Sequence, residues 1–240
     1  MKPEFQRIVS LVPCLTHTLL SLRGEEQLVG VTRYCPTGHD GEIVGGIHDL
    51  DFDHIERLSP DLILVDAEEN GMANILKLAE NHEVLAVTAE TMFESMDTVS
   101  KFSKLTGRPD LGETLSGKYK LLAKPVPSHS TAAVVVWPDP LRCASADTYC
   151  GSLLEHLGVT TVVPGPGYPE MSLEKLQTLG PDLLLLPSEP FDFTPKHQQQ
   201  FSKLLSNTGS KVLRVDGKAL FWYGSYMLDA LESLPRTLRQ

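Results

Sequence analysis

Long apolar runs are missing from this 240-residue chain. Runs such as Leu183 to Leu186 have the length of a strand and fall far short of the ~18 residues a membrane-spanning helix needs. Basic charge is also scarce: 21 Lys and Arg stand against 31 Asp and Glu, a net charge of −10. That balance excludes a nucleic-acid partner, because neutralising phosphates takes clustered Lys and Arg. The four cysteines (Cys14, Cys35, Cys143 and Cys150) form no CxxC pair. They read as small buried thiols, and whether Cys143 and Cys150 pair stays open.

Catalytic signatures are absent as well. Gly165-Pro166-Gly167-Tyr168-Pro169-Glu170 starts like a phosphate-binding GxGxxG turn. It lacks the third glycine, and its prolines remove amide donors. Neither GxxxxGK[ST] nor GxSxG occurs. Asp49, Asp51 and Asp53 alternate like a calcium loop, yet His54 holds the glycine position and Pro60 the glutamate position. No HxxxH or HExxH pair exists, so no metal site and no catalytic residue is expected. The N-terminus lacks an apolar signal segment, which by itself predicts a cytoplasmic address.

What is present is alternation. Short β-rich runs (8–12, 28–32, 62–65, 84–87, 132–137, 161–163, 183–186 and 212–215) are separated by helical patterns, as in an α/β fold with parallel sheets. An internal echo divides the chain. Leu58-Ser59-Pro60-Asp61-Leu62-Ile63-Leu64 returns as Leu179-Gly180-Pro181-Asp182-Leu183-Leu184-Leu185 at an offset of 121, and Asp53 matches Glu174 at the same offset. Val84 to Val87 is answered by Val212 to Val215. These observations predict two Rossmann-like lobes, residues 1–107 and 126–240. The spacing of Leu111, Leu115, Leu121 and Leu122 predicts a single amphipathic connecting helix over 108–125.

Ligands of parallel α/β lobes bind beyond the carboxyl ends of the strands. Tyr34, Ile47, His48 and Asp66 follow strands of the first lobe; Tyr168, Trp222 and Tyr223 follow strands of the second. Aromatic walls with few polar groups suit a large, partly apolar ligand.

Ile8-Val9-Ser10-Leu11-Val12-Pro13-Cys14-Leu15-Thr16 resembles the opening block of the substrate-binding proteins that serve ABC importers of cobalamin and ferric siderophores, the class III periplasmic binding proteins. Leu28 to Cys35, Val44-Gly45-Gly46, Pro60 to Leu64, Tyr168 to Glu174 and Phe221-Trp222-Tyr223-Gly224 are similar to its later blocks, in order along nearly the whole chain. The pattern lies nearest the cobalamin-binding branch. The resemblance implies a non-enzymatic, monomeric protein that captures a corrinoid between its lobes and delivers it to a membrane permease, with no resident cofactor. It places Tyr34, Tyr168, Trp222 and Tyr223 on the ligand, and Ile47 and Asp66 where that branch has tryptophans. His48 is a loose candidate for a metal-centre ligand. Asp53 and Glu174 match the acidic pair that docks on the importer. Ferric siderophore or haem is the alternative cargo. A cytoplasmic corrinoid-handling protein or enzyme is the alternative of another class. The binding role requires an export signal to have been removed, placing the protein in the periplasm or otherwise outside the cytoplasm.

Overall fold

The computed structural model describes residues 3–239. Ten strands are distributed over two sheets: β1 (Ile8–Ser10), β2 (Leu28–Val31), β3 (Glu42–Ile43), β4 (Leu62–Val65) and β5 (Val84–Ala86) in the first; β6 (Ser130–Pro138), β7 (Leu141–Ala144), β8 (Val159–Thr161), β9 (Leu183–Pro187) and β10 (Lys211–Val215) in the second. The helices are α1 (Pro13–Ser21), α2 (Phe52–Leu58), α3 (Ala67–Asn70), α4 (Met72–Ala79), α5 (Met92–Leu105), α6 (Pro109–Leu122), α7 (Tyr149–His156), α8 (Leu173–Leu179), α9 (Pro195–Leu204), α10 (Gly217–Phe221) and α11 (Met227–Leu238).

The chain forms two compact units. The first holds residues up to Ala89, Phe93–Tyr119 and the short return Tyr223–Tyr226; the second holds Glu90–Met92, Lys120–Trp222 and Met227 onward. Apart from the two short exchanged segments, Glu90–Met92 and Tyr223–Tyr226, the chain passes from the first unit to the second within α6, between Tyr119 and Lys120.

In the first unit the sheet order is β3-β2-β1-β4-β5 and every pairing is parallel. The central strands β1 and β4 are buried at every residue, as expected where helices cover both faces. Val9, Leu11, Ile63 and Val65 pack with Ile55 and Leu58 of α2 and Ile75 and Leu78 of α4. The expected first strand ends early because Pro13 takes the first position of α1, where a missing N–H costs nothing.

In the second unit the order is β10-β9-β6-β7, with β8 paired to the start of β6. The pairings β6–β8, β6–β9 and β9–β10 are parallel, whereas β7 runs antiparallel to β6. Phe193, Phe201, Leu176, Leu184 and Leu186 lead its core.

The repeated Leu-Ser/Gly-Pro-Asp block has one structural job in both units. Ser59 and Gly180 close α2 and α8 in the left-handed conformation, at φ 47° and 50°. Two residues later the aspartate ties the amino ends of adjacent strands. Asp61 accepts the backbone N–H groups of Gln6 (2.7 Å) and Arg7 (2.9 Å), just before β1. Asp182 accepts the N–H of Thr131 (2.7 Å) and its hydroxyl (2.8 Å) in β6. The strand after each aspartate, β4 or β9, pairs with the strand so held.

Candidate functional site

In the first unit, the loop after β2 carries Tyr34, 58% exposed. Arg33 reaches Asp49 with both guanidinium arms, at 3.0 and 2.8 Å, and its guanidinium carbon lies 5.9 Å from the Tyr34 ring centre. That fork holds the Asp49 carboxyl below the usual carboxylate range. It also ties the Tyr34 loop to the turn 45–50, which a Gly45–Leu50 bridge closes. Ile47, half-buried, and His48, exposed, sit on this turn. Tyr34, Ile47 and His48 are thus carried by two loops joined through one ion pair.

Asp66 and Tyr223 have a different setting. Asp66 directly follows β4 and is 4% exposed; its Oδ1 accepts the N–H groups of Glu68 (2.7 Å) and Glu69 (3.1 Å), capping α3. Tyr223, 5% exposed, donates its hydroxyl to Asp66 Oδ2 at 2.7 Å, with the Val87 carbonyl at 3.1 Å as a second acceptor. The return segment is stitched further. Gly224 N–H donates to Ser95 Oγ (2.8 Å) and Ser225 N–H to Thr18 Oγ1 (3.1 Å). Gly224 adopts φ 79°, and a side chain there would collide with Thr18.

Beside this pair lies a thiol–hydroxyl network with no signature in sequence spacing. Thr16 donates to Ser10 Oγ (2.8 Å), and its hydroxyl lies 3.1 Å from Cys35 Sγ, which Thr32 also touches at 3.2 Å. Burial pushes the Cys14 thiol up, and the nearby Glu69 and Asp66 add to the shift. Burial also raises Cys35, against the lowering effect of Thr16 and Thr32. All four cysteines are free thiols, including Cys143 and Cys150.

In the second unit, half-buried Tyr168 rides on a stapled loop. Asp147 accepts the Gly167 N–H (2.9 Å), Ser145 N–H donates to the Gly167 carbonyl (3.0 Å), and Cys143 N–H donates to the Pro169 carbonyl (3.2 Å). Arg142 donates to the Tyr168 carbonyl at 3.3 Å and pairs with Glu170 at 3.5 Å. Trp222 is 9% exposed, with Lys218 Nζ 4.6 Å from its ring centre. Beyond β9, half-buried Glu189 is held above the ordinary carboxylate range by its burial.

Asp53 and Glu174 occupy the same place in their units. Each is exposed at the second position of a seven-residue helix, capped by Asp51 in α2 and by Ser172 in α8. The Glu174 carboxyl sits below its ordinary range through hydrogen bonds to its own backbone and to Ser172.

Among the described residues no group of His, Cys, Asp and Glu is arranged to hold a metal ion. No described helix is long and apolar enough to cross a membrane.

Two α/β units on mainly parallel sheets are the fold of solved class III periplasmic binding proteins, on which this chain superposes. The haem-binding protein HutB of Vibrio cholerae superposes with a TM-score of 0.80 at 17% identity, over 98% of this chain and 99% of that one. The vitamin B12 binding protein BtuF of Vibrio cholerae gives 0.79 at 18% identity, over 98% and 97%. In sequence, the Fe(3+)-citrate-binding protein YfmC of Bacillus subtilis (strain 168) is 28% identical over 153 residues, 60% of this chain and 48% of that protein. The chain thus spans about half the length of the curated relative it matches. No family model matches. These relatives are named as solute-binding proteins, not as enzymes.

Proposed function

We propose that this chain is a solute-binding protein for a bulky metal chelate of the corrinoid, haem or ferric-siderophore kind, which it hands to an ABC importer outside the cytoplasm. The observation that carries the reading is the exposed Tyr34, on a loop braced by Arg33 and Asp49 at the carboxyl end of a parallel strand. An aromatic ring kept at the surface by a fixed loop offers a flat apolar contact, and its burial awaits a ligand. Whole-chain likeness to binders named for vitamin B12 and haem supports the same class.

The corrinoid reading draws on the sequence blocks nearest the cobalamin branch; the haem and iron-chelate readings draw equally on the relatives named for those ligands. Asp53 and Glu174 are assigned to importer docking because matched carboxylates at matched helix starts suit a two-fold basic receptor.

A competition titration decides the cargo. Cyanocobalamin, haemin, ferric citrate and a ferric siderophore are titrated in turn, following ligand absorbance. One of them binding with Kd below about 10 µM is expected. No saturable binding of any of the four would remove the proposal.

A further inference from the structure

A groove of about 80 Å³ opens on the second unit at the amino ends of β6 and β8, whereas the loops described above follow carboxyl ends. Its apolar wall includes Leu122, Leu157 and Leu238; Lys124, His129 and Arg239 line it with exposed side chains. The sequence concentrates cations here against the trend of the whole molecule. Residues 120–138 contain two lysines and no Asp or Glu, and residues 233–239 contain two arginines and no Asp or Glu, in a chain of net charge −10. One cation from each stretch, Lys124 and Arg239, lines the groove. Among the described residues Lys124 and Arg239 form no ion pair, although other basic side chains do, such as Arg33, Arg108 and Arg142. The His129 ring is hydrogen-bonded through Nδ1 to the Pro127 carbonyl at 3.3 Å.

Unpaired cations beside apolar walls concentrate anions locally, and a guanidinium matches the two oxygens of a carboxylate or phosphate. We propose that this groove binds an amphiphilic anion: a carboxylate or phosphate head held by Lys124 and Arg239, with a short aliphatic tail against Leu122, Leu157 and Leu238. The cavity is roughly half the ~150 Å³ apolar cavity that accepts benzene, so it takes only the first few carbons of a chain. The site is separate from the cargo loops and does not depend on what they carry.

The test titrates the intact protein at low salt with sodium hexanoate, hexanol and sodium acetate, following amide shifts by NMR. Hexanoate is expected to bind at least tenfold more tightly than either control, since only it has both head and tail. Lys124→Gln with Arg239→Gln should weaken hexanoate at least tenfold and leave hexanol unchanged. Both residues are exposed, and an unchanged melting curve confirms that the variant folds. Equal binding of hexanoate and hexanol, an undiminished affinity in the double variant, or no hexanoate binding at about 10 mM would overturn the proposal. Phosphatidylglycerol vesicles form a further arm. Binding to vesicles without binding of monomeric hexanoate would make the patch a membrane-facing surface and overturn it as a small-ligand site.

Discussion

The Tyr223 hydroxyl donates to the Asp66 carboxylate across 2.7 Å, and both side chains are buried within the first unit. The bond joins a residue near the end of the chain to the start of α3. Removing the hydroxyl leaves Asp66 Oδ2 buried without its donor, at a cost of about 1–3 kcal/mol. Tyr223→Phe should therefore lower the urea midpoint. Asp66→Asn combined with Tyr223→Phe should cost less than the two single changes added together, because the second change finds the bond already gone. Strict additivity in urea unfolding would show that the two side chains are not coupled.

Asp61 and Asp182 do the same tying work in the two units. Each holds the amino end of a strand beside the one it precedes. The Thr131 N–H and hydroxyl bonds hold the Asp182 carboxyl below its ordinary value. A folded-state value below the unfolded one gives stability that is present above the unfolded value, about 3.9, and lost as pH falls through the folded one. Asp182→Asn should accordingly flatten the acid side of a stability–pH profile below about pH 4 and destabilise the protein at neutral pH. A profile as steep as that of the unaltered protein would refute the assignment.

This pair also shows how far the sequence could be read. The echo at an offset of 121 is visible because the same capping and strand-tying work demands the same residue types in both units. The fully buried strands β4 and β9 are legible from their apolar runs, as are the helices that follow ordinary 3.6-residue periodicity. The two-residue β3 and the antiparallel β7 carry no comparable pattern. Order along the chain places Asp66 just after β4 and Tyr223 beyond β10 and α10, but not on each other, since they meet across 157 positions. The Arg33–Asp49 brace and the Thr16–Cys35 contact were likewise illegible, because long-range side-chain pairing leaves no local spacing to detect.

The buried thiols predict an alkaline limit. Burial pushes Cys143 and Cys150 up to about 12. Between about pH 9 and about pH 12 the unfolded chain has released protons that the folded protein keeps, so stability falls as pH rises through that window. Cys143→Ala and Cys150→Ala should each make the fall in urea midpoint shallower above about pH 9. In the native protein at about pH 8, a thiol reagent should modify Cys35 slowly and spare Cys14, Cys143 and Cys150, which are buried. Rapid modification of all four without denaturant would contradict this.

Cargo capture and delivery should separate cleanly by mutation. Tyr34 is mostly exposed, so Tyr34→Ala should shift stability by no more than about 0.5 kcal/mol. Losing an aromatic wall of about 1.4 kcal/mol is a tenfold weaker Kd, and the variant should show at least that for whichever chelate binds. Asp53 and Glu174 lie on helix starts rather than on the strand-end loops. Asp53→Lys and Glu174→Lys should leave chelate affinity within about twofold of the unaltered protein. Paired in one chain, they should abolish uptake in cells whose growth depends on the chelate, because the docking contacts proposed for the two carboxylates would become repulsive. If the double variant imports normally while Tyr34→Ala loses binding, the carboxylates serve only their helices and docking lies elsewhere on the surface. If Tyr34→Ala binds normally while the double variant loses binding, the cargo face has been assigned to the wrong loops.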